Sequence, residues 1–352
     1  METLTVRNNS EIIFDDAARV IGAVDFSPLE GATVFITGAT GLVGTHFLAS
    51  LCLLKEKGMH IGVFAEHHST PAEHTLDIAR RGNILLLNEI PKGADVVIHA
   101  AGYAQPSRFT SNPAETIRLN TVVTQELLRT LWPGGKFLFV SSSEVYSGLK
   151  KTTAQETDIG TTTPYHPRAC YIEGKRCGEA ITDAYRKTGV HAVSARLSLA
   201  YGPGTRKHDK RAMNTLIEKA LTLGKIEMEF AGKESRTYCY IRDAVRMLWQ
   251  VALYGTQPVY NVGATQLVRT VDMAECIGRI TGTEVTSPVA EEMVGAPETL
   301  CLDMSRIETE FGKNDYVSLE DGLKRTVDWQ RDLYRRELHR EEFNWKYGVD
   351  LQ

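Results

Sequence analysis

The chain has 352 residues, 42% hydrophobic and 24% charged, the composition of an ordinary globular protein able to bury one large core or two unequal ones. Its net charge of −4 argues against nucleic acid as the main partner, and no run approaches the roughly eighteen apolar residues of a membrane span. The first twenty residues are acidic and polar, unlike a secretory leader; the six cysteines (Cys52, Cys170, Cys177, Cys239, Cys276 and Cys301) contain no C-x-x-C pair, so reduced thiols in a cytoplasmic protein are expected, with no metal site and no disulfide framework.

In chain order, residues 1–30 read as an N-terminal extension, with a short helix around Ile12–Ile21 and a linker containing Pro28. A strand over Thr33–Thr37, a glycine turn and an amphipathic helix ending near Gly58 follow. Further strands are expected at His60–Ala65, Asn83–Asn88 and Ala94–Gly102. A helix runs from Pro113 to about Leu131, with Asn112 as its cap and Pro113 in its first turn. Then come the strand KFLFVSSS, a helix around Tyr171–Thr188 and a strand over Val190–Gly202. Strands alternating with helices predict an α/β fold, a doubly wound parallel sheet of the Rossmann kind over residues 31–201. Beyond Gly202 the elements shorten, which predicts a smaller substrate-binding module over residues 202–330, from which some elements return to the sheet. Residues 331–352 alternate acid and base as in a solvated helix.

Three features carry chemistry. TGATGLVG sets Gly38, Gly41 and Gly44 between a strand and a helix. The first allows a tight turn, the second lets backbone approach a pyrophosphate, and the third allows close packing of helix on strand. Leu42 and Val43, in the helix's first turn, and Ala101, near the end of the fourth strand, complete the expected cofactor bed. About twenty residues on, where a carboxylate would accept from the ribose hydroxyls and repel a 2′-phosphate, stands Glu66, which favours NAD. RACYIEGKR sets Tyr171 and Lys175 four residues apart on one helix face. A phenol of pKa near ~10 is a poor base; an adjacent ammonium favours its ionised form, and Ser142 can share the proton as an alcohol loses its hydride to NAD.

In this order the three features resemble the extended short-chain dehydrogenase/reductases that modify nucleotide sugars, over roughly residues 32–330. More narrowly, RACYIEGKR, SSSEVYS, ARLSLAYGPG and SRTYCYIRDAV resemble segments of UDP-glucuronate decarboxylases. The resemblance implies that the sugar of a nucleotide-diphosphate sugar is oxidised at C4. Tyr171 is then the base, Ser142 its hydrogen-bond partner, and Lys175 the residue that holds the ribose and lowers the tyrosine's pKa. Arg236 is expected at the diphosphate, Ser143 and Arg211 beside the substrate, and a homodimer through the helix bearing Tyr171. Glu144 tilts the expectation to lyase chemistry, since decarboxylases and dehydratases have a carboxylate there whereas 4-epimerases need none. A dehydratase, a 4-epimerase and a non-catalytic NAD(H)-binding sensor are the alternatives. Two departures stand out: Leu300, where decarboxylases carry an arginine for the sugar carboxylate, and Leu199, where an asparagine usually faces the diphosphate. Arg108 is a replacement cation reaching the site by another route.

Overall fold

The computed structural model describes residues 10–288 and 299–347; residues 1–9 and 348–352 of the expected terminal segments lie outside the described residues. The first helix, α1 (Ser10–Ile21), buries Ile13, Ala17 and Val20. After a 3-10 turn at Ser27–Leu29 come β1 (Thr33–Thr37), α2 (Leu42–Glu56), β2 (Gly62–Glu66), α3 (Glu73–Arg81), β3 (Leu85–Leu87) and β4 (Ala94–His99). Next are α4 (Pro106–Ser111), α5 (Pro113–Asn120), α6 (Val122–Arg129) and β5 (Leu131–Ser142). A 3-10 turn at Ser143–Tyr146 leads to β6 (Thr153–Ala154), α7 (Ala169–Arg186), β7 (His191–Leu197) and β8 (Leu199–Tyr201). The remainder is α8 (Ala212–Leu223), β9 (Lys225–Glu227), β10 (Ser235–Tyr240), α9 (Ile241–Tyr254), β11 (Val259–Val262), β12 (Leu267–Arg269), α10 (Thr270–Thr281), β13 (Glu284–Thr286), β14 (Thr299–Leu302), α11 (Ser305–Phe311) and α12 (Leu319–Tyr347).

Seven strands form one parallel sheet in the order β11-β7-β5-β4-β1-β2-β3, the doubly wound arrangement expected. Side chains alternate across it. Val34 and Ile36 of β1 join a core with α1, α2 and α9, while Phe35 faces the opposite core with Leu119, Val123 and Leu127 of α5 and α6. The chain reverses direction across the sheet between β1 and β4, so the crevice for a ligand opens at the carboxyl ends of these two strands. A smaller sheet, β12-β10-β14-β6 with β8 paired to β10, is built from strands after β5.

Several elements differ from the sequence expectation. The helix α2 is buried on nearly every side rather than amphipathic, because α1 and α9 cover the face that would otherwise meet water. The single helix expected over Pro113–Leu131 breaks at Thr121 into α5 and α6. Thr121, Val122, Val123 and Thr124 are all β-branched, and the Thr121 hydroxyl donates to the Ile117 carbonyl at 2.8 Å, both of which disfavour continuous helix. Asn112 does not cap α5 with its side chain; its amide donates to the Arg108 carbonyl at 3.0 Å and closes α4 instead. Within residues 202–330, α9 and β11 belong to the large sheet's layers. The terminal helix begins at Leu319, ahead of the charged segment expected over 331–352, and its first turns are buried, with Leu323, Val327 and Trp329 at 0% exposure.

Candidate active site

The glycine turn sits at the carboxyl end of β1. Gly38 has φ +69°, and a Cβ there would lie 2.7 Å from the backbone of Ala100 and Ala101; a Cβ on Gly44 would lie 2.4 Å from the Gly38 carbonyl oxygen. The chain's own packing therefore demands both glycines. Gly41 is different. Its backbone is extended, and a Cβ would meet only the Gly38 carbonyl, at 3.3 Å. What its missing side chain keeps open is the space over the first turn of α2, at Leu42 and Val43, where unpaired helical N–H groups and the helix dipole favour a phosphate. A dinucleotide diphosphate fits this cradle.

A buried relay fixes the neighbouring strand ends. The Ala101 N–H donates to Thr37 Oγ1 at 3.2 Å, and Thr37 Oγ1 lies 2.7 Å from His99 Nδ1. His99 Nε2 is 3.0 Å from the Leu119 carbonyl, an acceptor only, so Nε2 carries the proton and Nδ1 accepts from Thr37. Burial lowers His99 to about 3, which keeps it neutral. Glu66 ends β2 and is buried; His68 Nε2 stands 3.1 Å from its carboxylate. Burial raises the Glu66 pKa, and His68 opposes that rise.

The stretch Ser141–Ser147 leaves β5 with its side chains divided between two tasks. Ser141 donates to Glu179 at 2.5 Å, and Glu179 is paired with Arg196. Tyr146 is buried and donates to Asn261 Oδ1 at 2.7 Å. These residues brace the strand ends. Ser142 instead stands near the Tyr171 phenol, whose pKa it lowers, and accepts from the Glu144 N–H at 3.2 Å, and Ser143 opens the 3-10 turn between them. Tyr171 and Lys175 lie on α7, with the Tyr171 ring stacked on Phe109 of α4 at 4.7 Å. Burial raises the Tyr171 pKa; the Ser142 hydrogen bond and the charges of Arg168 and Arg211 pull it down.

Lys175 is buried, and its ammonium donates to the Val140 carbonyl at 2.7 Å, 5.8 Å from the Tyr171 ring centroid. Burial lowers it to about 7. Ser142 and two arginines thus favour Tyr171 ionisation, in addition to the ammonium of Lys175 named from the sequence. The Lys175 nitrogen lies 3.8 Å from where a Cβ on Gly102 would stand, so it faces the open strand end beyond β4.

The cations divide as follows. Glu144 accepts from Arg168 Nη2 at 2.9 Å, and Arg168 also stands 5.5 Å over the Phe109 ring. Arg236 on β10 donates to the Ser235 carbonyl at 2.8 Å, and its charge feels Glu144 and Arg168. Leu300 on β14 is the strand partner of Arg236, and Leu199 on β8 is that of Tyr238, two residues on. Both departures from the family pattern therefore fall along β10. Arg211 is held bidentate by Asp209 and donates to the Ala200 carbonyl at 3.3 Å. Arg108 is exposed on α4 and lies close enough to Arg206 to act on its charge. Sequence reasoning missed Arg168, although it lies three residues before Tyr171; its signal was adjacency, and its partner is 24 residues away. Among the described residues no cluster of three or more metal-ligating side chains occurs, and no helix is long and apolar enough to cross a membrane.

Comparison with known proteins bears on this arrangement. The model of the NAD dependent epimerase/dehydratase family matches residues 34–263. The UDP-glucuronic acid decarboxylase 1 of Xenopus tropicalis is 27% identical over 318 residues, covering 88% of this chain and 74% of that protein. The protein of the same name from Arabidopsis thaliana is 27% identical over 315 residues, covering 88% and 71%. Among solved structures, the UDP-glucuronic acid 4-epimerase of Bacillus cereus, in complex with UDP-glucuronic acid and NAD, superposes with TM-score 0.70 at 25% identity, over 86% of this chain and all of that one. The UDP-glucose 4-epimerase of Thermotoga maritima superposes at 0.72 with 22% identity, over 86% and 99%, a likeness of fold.

Proposed function

The chain belongs to the NAD dependent epimerase/dehydratase family, and from that premise we propose that it oxidises C4 of a nucleotide-diphosphate sugar and then carries out lyase chemistry at the adjoining carbon, as in a UDP-glucuronate decarboxylase. One observation carries the reading: Ser142, Glu144 and Arg168 meet Tyr171 at the carboxyl ends of the sheet, beside the glycine cradle. The bound NAD supplies the acceptor for the C4 hydride; the chain supplies positioning and proton transfer.

Tyr171 takes the proton of the C4 hydroxyl, and Ser142, near the phenol, orients that hydroxyl. Phe109 stacked on the phenol keeps water from that side. Lys175, fixed to the Val140 carbonyl and facing Gly102, holds the nicotinamide ribose. Gly38, Gly41 and Gly44 hold the diphosphate with the N–H groups of Leu42 and Val43; Glu66 and Ala101 line the rest of the cofactor bed. Arg236 receives the sugar nucleotide's diphosphate, with Arg211 and Ser143 nearby. Once C4 is a ketone, a C6 carboxylate is that of a β-keto acid, and CO₂ leaves with its bonding electrons delocalised into the ketone. Glu144, steadied by Arg168, then handles the proton at C5.

Leu300 favours a second reading. Its place opposite Arg236 leaves β14 without the cation a glucuronate carboxylate would meet, which suits a neutral C5 substituent and hence a 4,6-dehydratase or a 4-epimerase of neutral sugars. Titration with UDP-, GDP-, CDP- and dTDP-sugars, with and without a C6 carboxylate, tests both readings through nicotinamide absorbance and product analysis. CO₂ release from UDP-glucuronate supports the first. Turnover confined to neutral sugars supports the second, and cofactor binding without turnover of any sugar overturns both. A homodimer is also proposed: Ile117 and Val122, on the helices that pack against α7, are 45% and 48% exposed, a surface suited to a second copy. The six cysteines are all free thiols, which suits a reducing cytoplasm.

A further inference from the structure

The loop between β8 and α8 runs across the first turn of α2, at the mouth of the glycine cradle. Gly204, at φ +98°, passes so close that a Cβ there would lie 3.4 Å from Leu42 Cδ1. Three residues tie the loop down. The Pro203 carbonyl accepts from His46 Nε2 of α2 at 2.8 Å, and the Thr205 carbonyl accepts from Trp329 Nε1 of α12 at 3.0 Å. Burial lowers His46 to about 4, so it stays neutral and this bond persists through the physiological range. The third tie is Arg206, whose Nη2 donates to the Thr40 carbonyl in the glycine turn at 3.2 Å and to Ser69 Oγ, beyond β2, at 3.0 Å.

Arg206 does more than tie the loop. Both of these acceptors are uncharged, and the influences on its charge are burial and the like charge of Arg108, both unfavourable. Two guanidinium groups held near one another beside a helix N-terminus form a strongly positive mouth, and an anion there relieves all three. We propose that Arg206 is a cofactor-binding residue that closes over the outer side of the dinucleotide's diphosphate and slows its release, with the charge of Arg108 adding to the attraction. The inference rests on the reading of the glycine cradle as an NAD site, and not on which sugar is turned over. It gives the 202–211 loop a task in retaining a cofactor that is reduced and reoxidised within one catalytic cycle.

The test is the rate of NADH release, followed by the fluorescence of bound NADH after mixing with excess NAD, in the wild-type protein, Arg206→Gln, Arg206→Lys and Arg108→Gln. Arg331→Gln serves as a control, because Arg331 pairs with its helical neighbour Asp328. The expected result is release about tenfold faster in Arg206→Gln, a smaller acceleration in Arg108→Gln, partial recovery in Arg206→Lys and no change in the control; tenfold is about 1.4 kcal/mol. Unchanged release in a folded Arg206→Gln, checked by circular dichroism, overturns the proposal. So does a variant that loses affinity for NADPH alone, which would assign Arg206 to a 2′-phosphate. A wild-type protein that binds neither nucleotide would instead overturn the cofactor reading itself, which keeps the two failures distinct.

Discussion

Glu144 is the one acid in a run of hydroxyls, and its surroundings explain why a carboxylate belongs there. Ser141 and Tyr146 turn inward to Glu179 and Asn261, while Ser142 and Glu144 stay on the side of Tyr171. The ion pair with Arg168 is partly open to water, with side chains 25% and 29% exposed, so it contributes only ~0–1 kcal/mol to stability. Glu144→Gln is therefore expected to shift the urea midpoint little, to leave C4 oxidation measurable as nicotinamide reduction, and to stall the following step roughly 10²-fold or more. Equal loss of both steps would return Glu144 to a bracing role. The placement of Ser142, Tyr171 and Lys175 was open to sequence reasoning because spacing on one helix and the end of one strand define it locally. Arg168 and Arg206 were not, since each acquires its meaning from a partner far along the chain, at 24 and 166 residues respectively.

At the scale of the element, the glycine turn separates two uses of one residue type. Gly38 and Gly44 serve the chain's own geometry, by a positive φ and by a close approach, while Gly41 leaves room for a ligand. Gly44→Ala drives a Cβ into the Gly38 carbonyl and is expected to cost about 2 kcal/mol or more. Gly41→Ala is expected to cost less than about 1 kcal/mol while weakening NAD binding at least tenfold, measured by calorimetry alongside thermal unfolding. A variant that lost stability without losing affinity would contradict the cradle. The strand–turn–helix was readable from sequence to within a residue or two, because hydrophobic period and glycine placement agree there. The break at Thr121 and the short helix α4 were not: a run of β-branched residues shortens a helix by side-chain competition, which a hydrophobic pattern does not record.

At the scale of the whole molecule, residues that looked peripheral hold the layers together. Asp16 of α1 accepts from Tyr240 of β10 at 2.6 Å and from Arg325 of α12 at 3.0 Å, so three distant segments meet at one carboxylate. Fold class followed from the alternation of strands and helices; this tertiary staple could not, since nothing local marks α1 as the cover of α2. The buried histidines set the response to pH. Burial lowers His46 to about 4 and His99 to about 3, against an ordinary value of 6.5. Between those values the unfolded chain binds protons that the folded one refuses, so their contribution is full above about 6.5 and is lost as pH falls towards 4 and 3. Asp16 acts in the opposite sense: burial raises it to about 6 from 3.8, so acidification between those values favours the folded state. Each pKa unit is about 1.4 kcal/mol; His74 and His191, which burial also lowers to about 4, add to the histidines' side, against the raised carboxylates Asp16 and Glu66. Urea midpoints measured from pH 8 to pH 4 are expected to fall below about pH 6.5; a flat profile would contradict the buried, neutral state of these rings.

Tyr171 carries the account as a whole. Single-turnover mixing of the NAD-loaded protein with UDP-glucuronate, or with whichever nucleotide sugar the titration selects, reads nicotinamide reduction directly. Tyr171→Phe keeps the ring stacked on Phe109 and removes only the hydroxyl near Ser142. The account predicts that this variant still binds NAD and the sugar nucleotide but reduces the nicotinamide roughly 10²–10⁴-fold more slowly. Reduction at the wild-type rate would show that the proton leaves by another route and would contradict the mechanism at its first step.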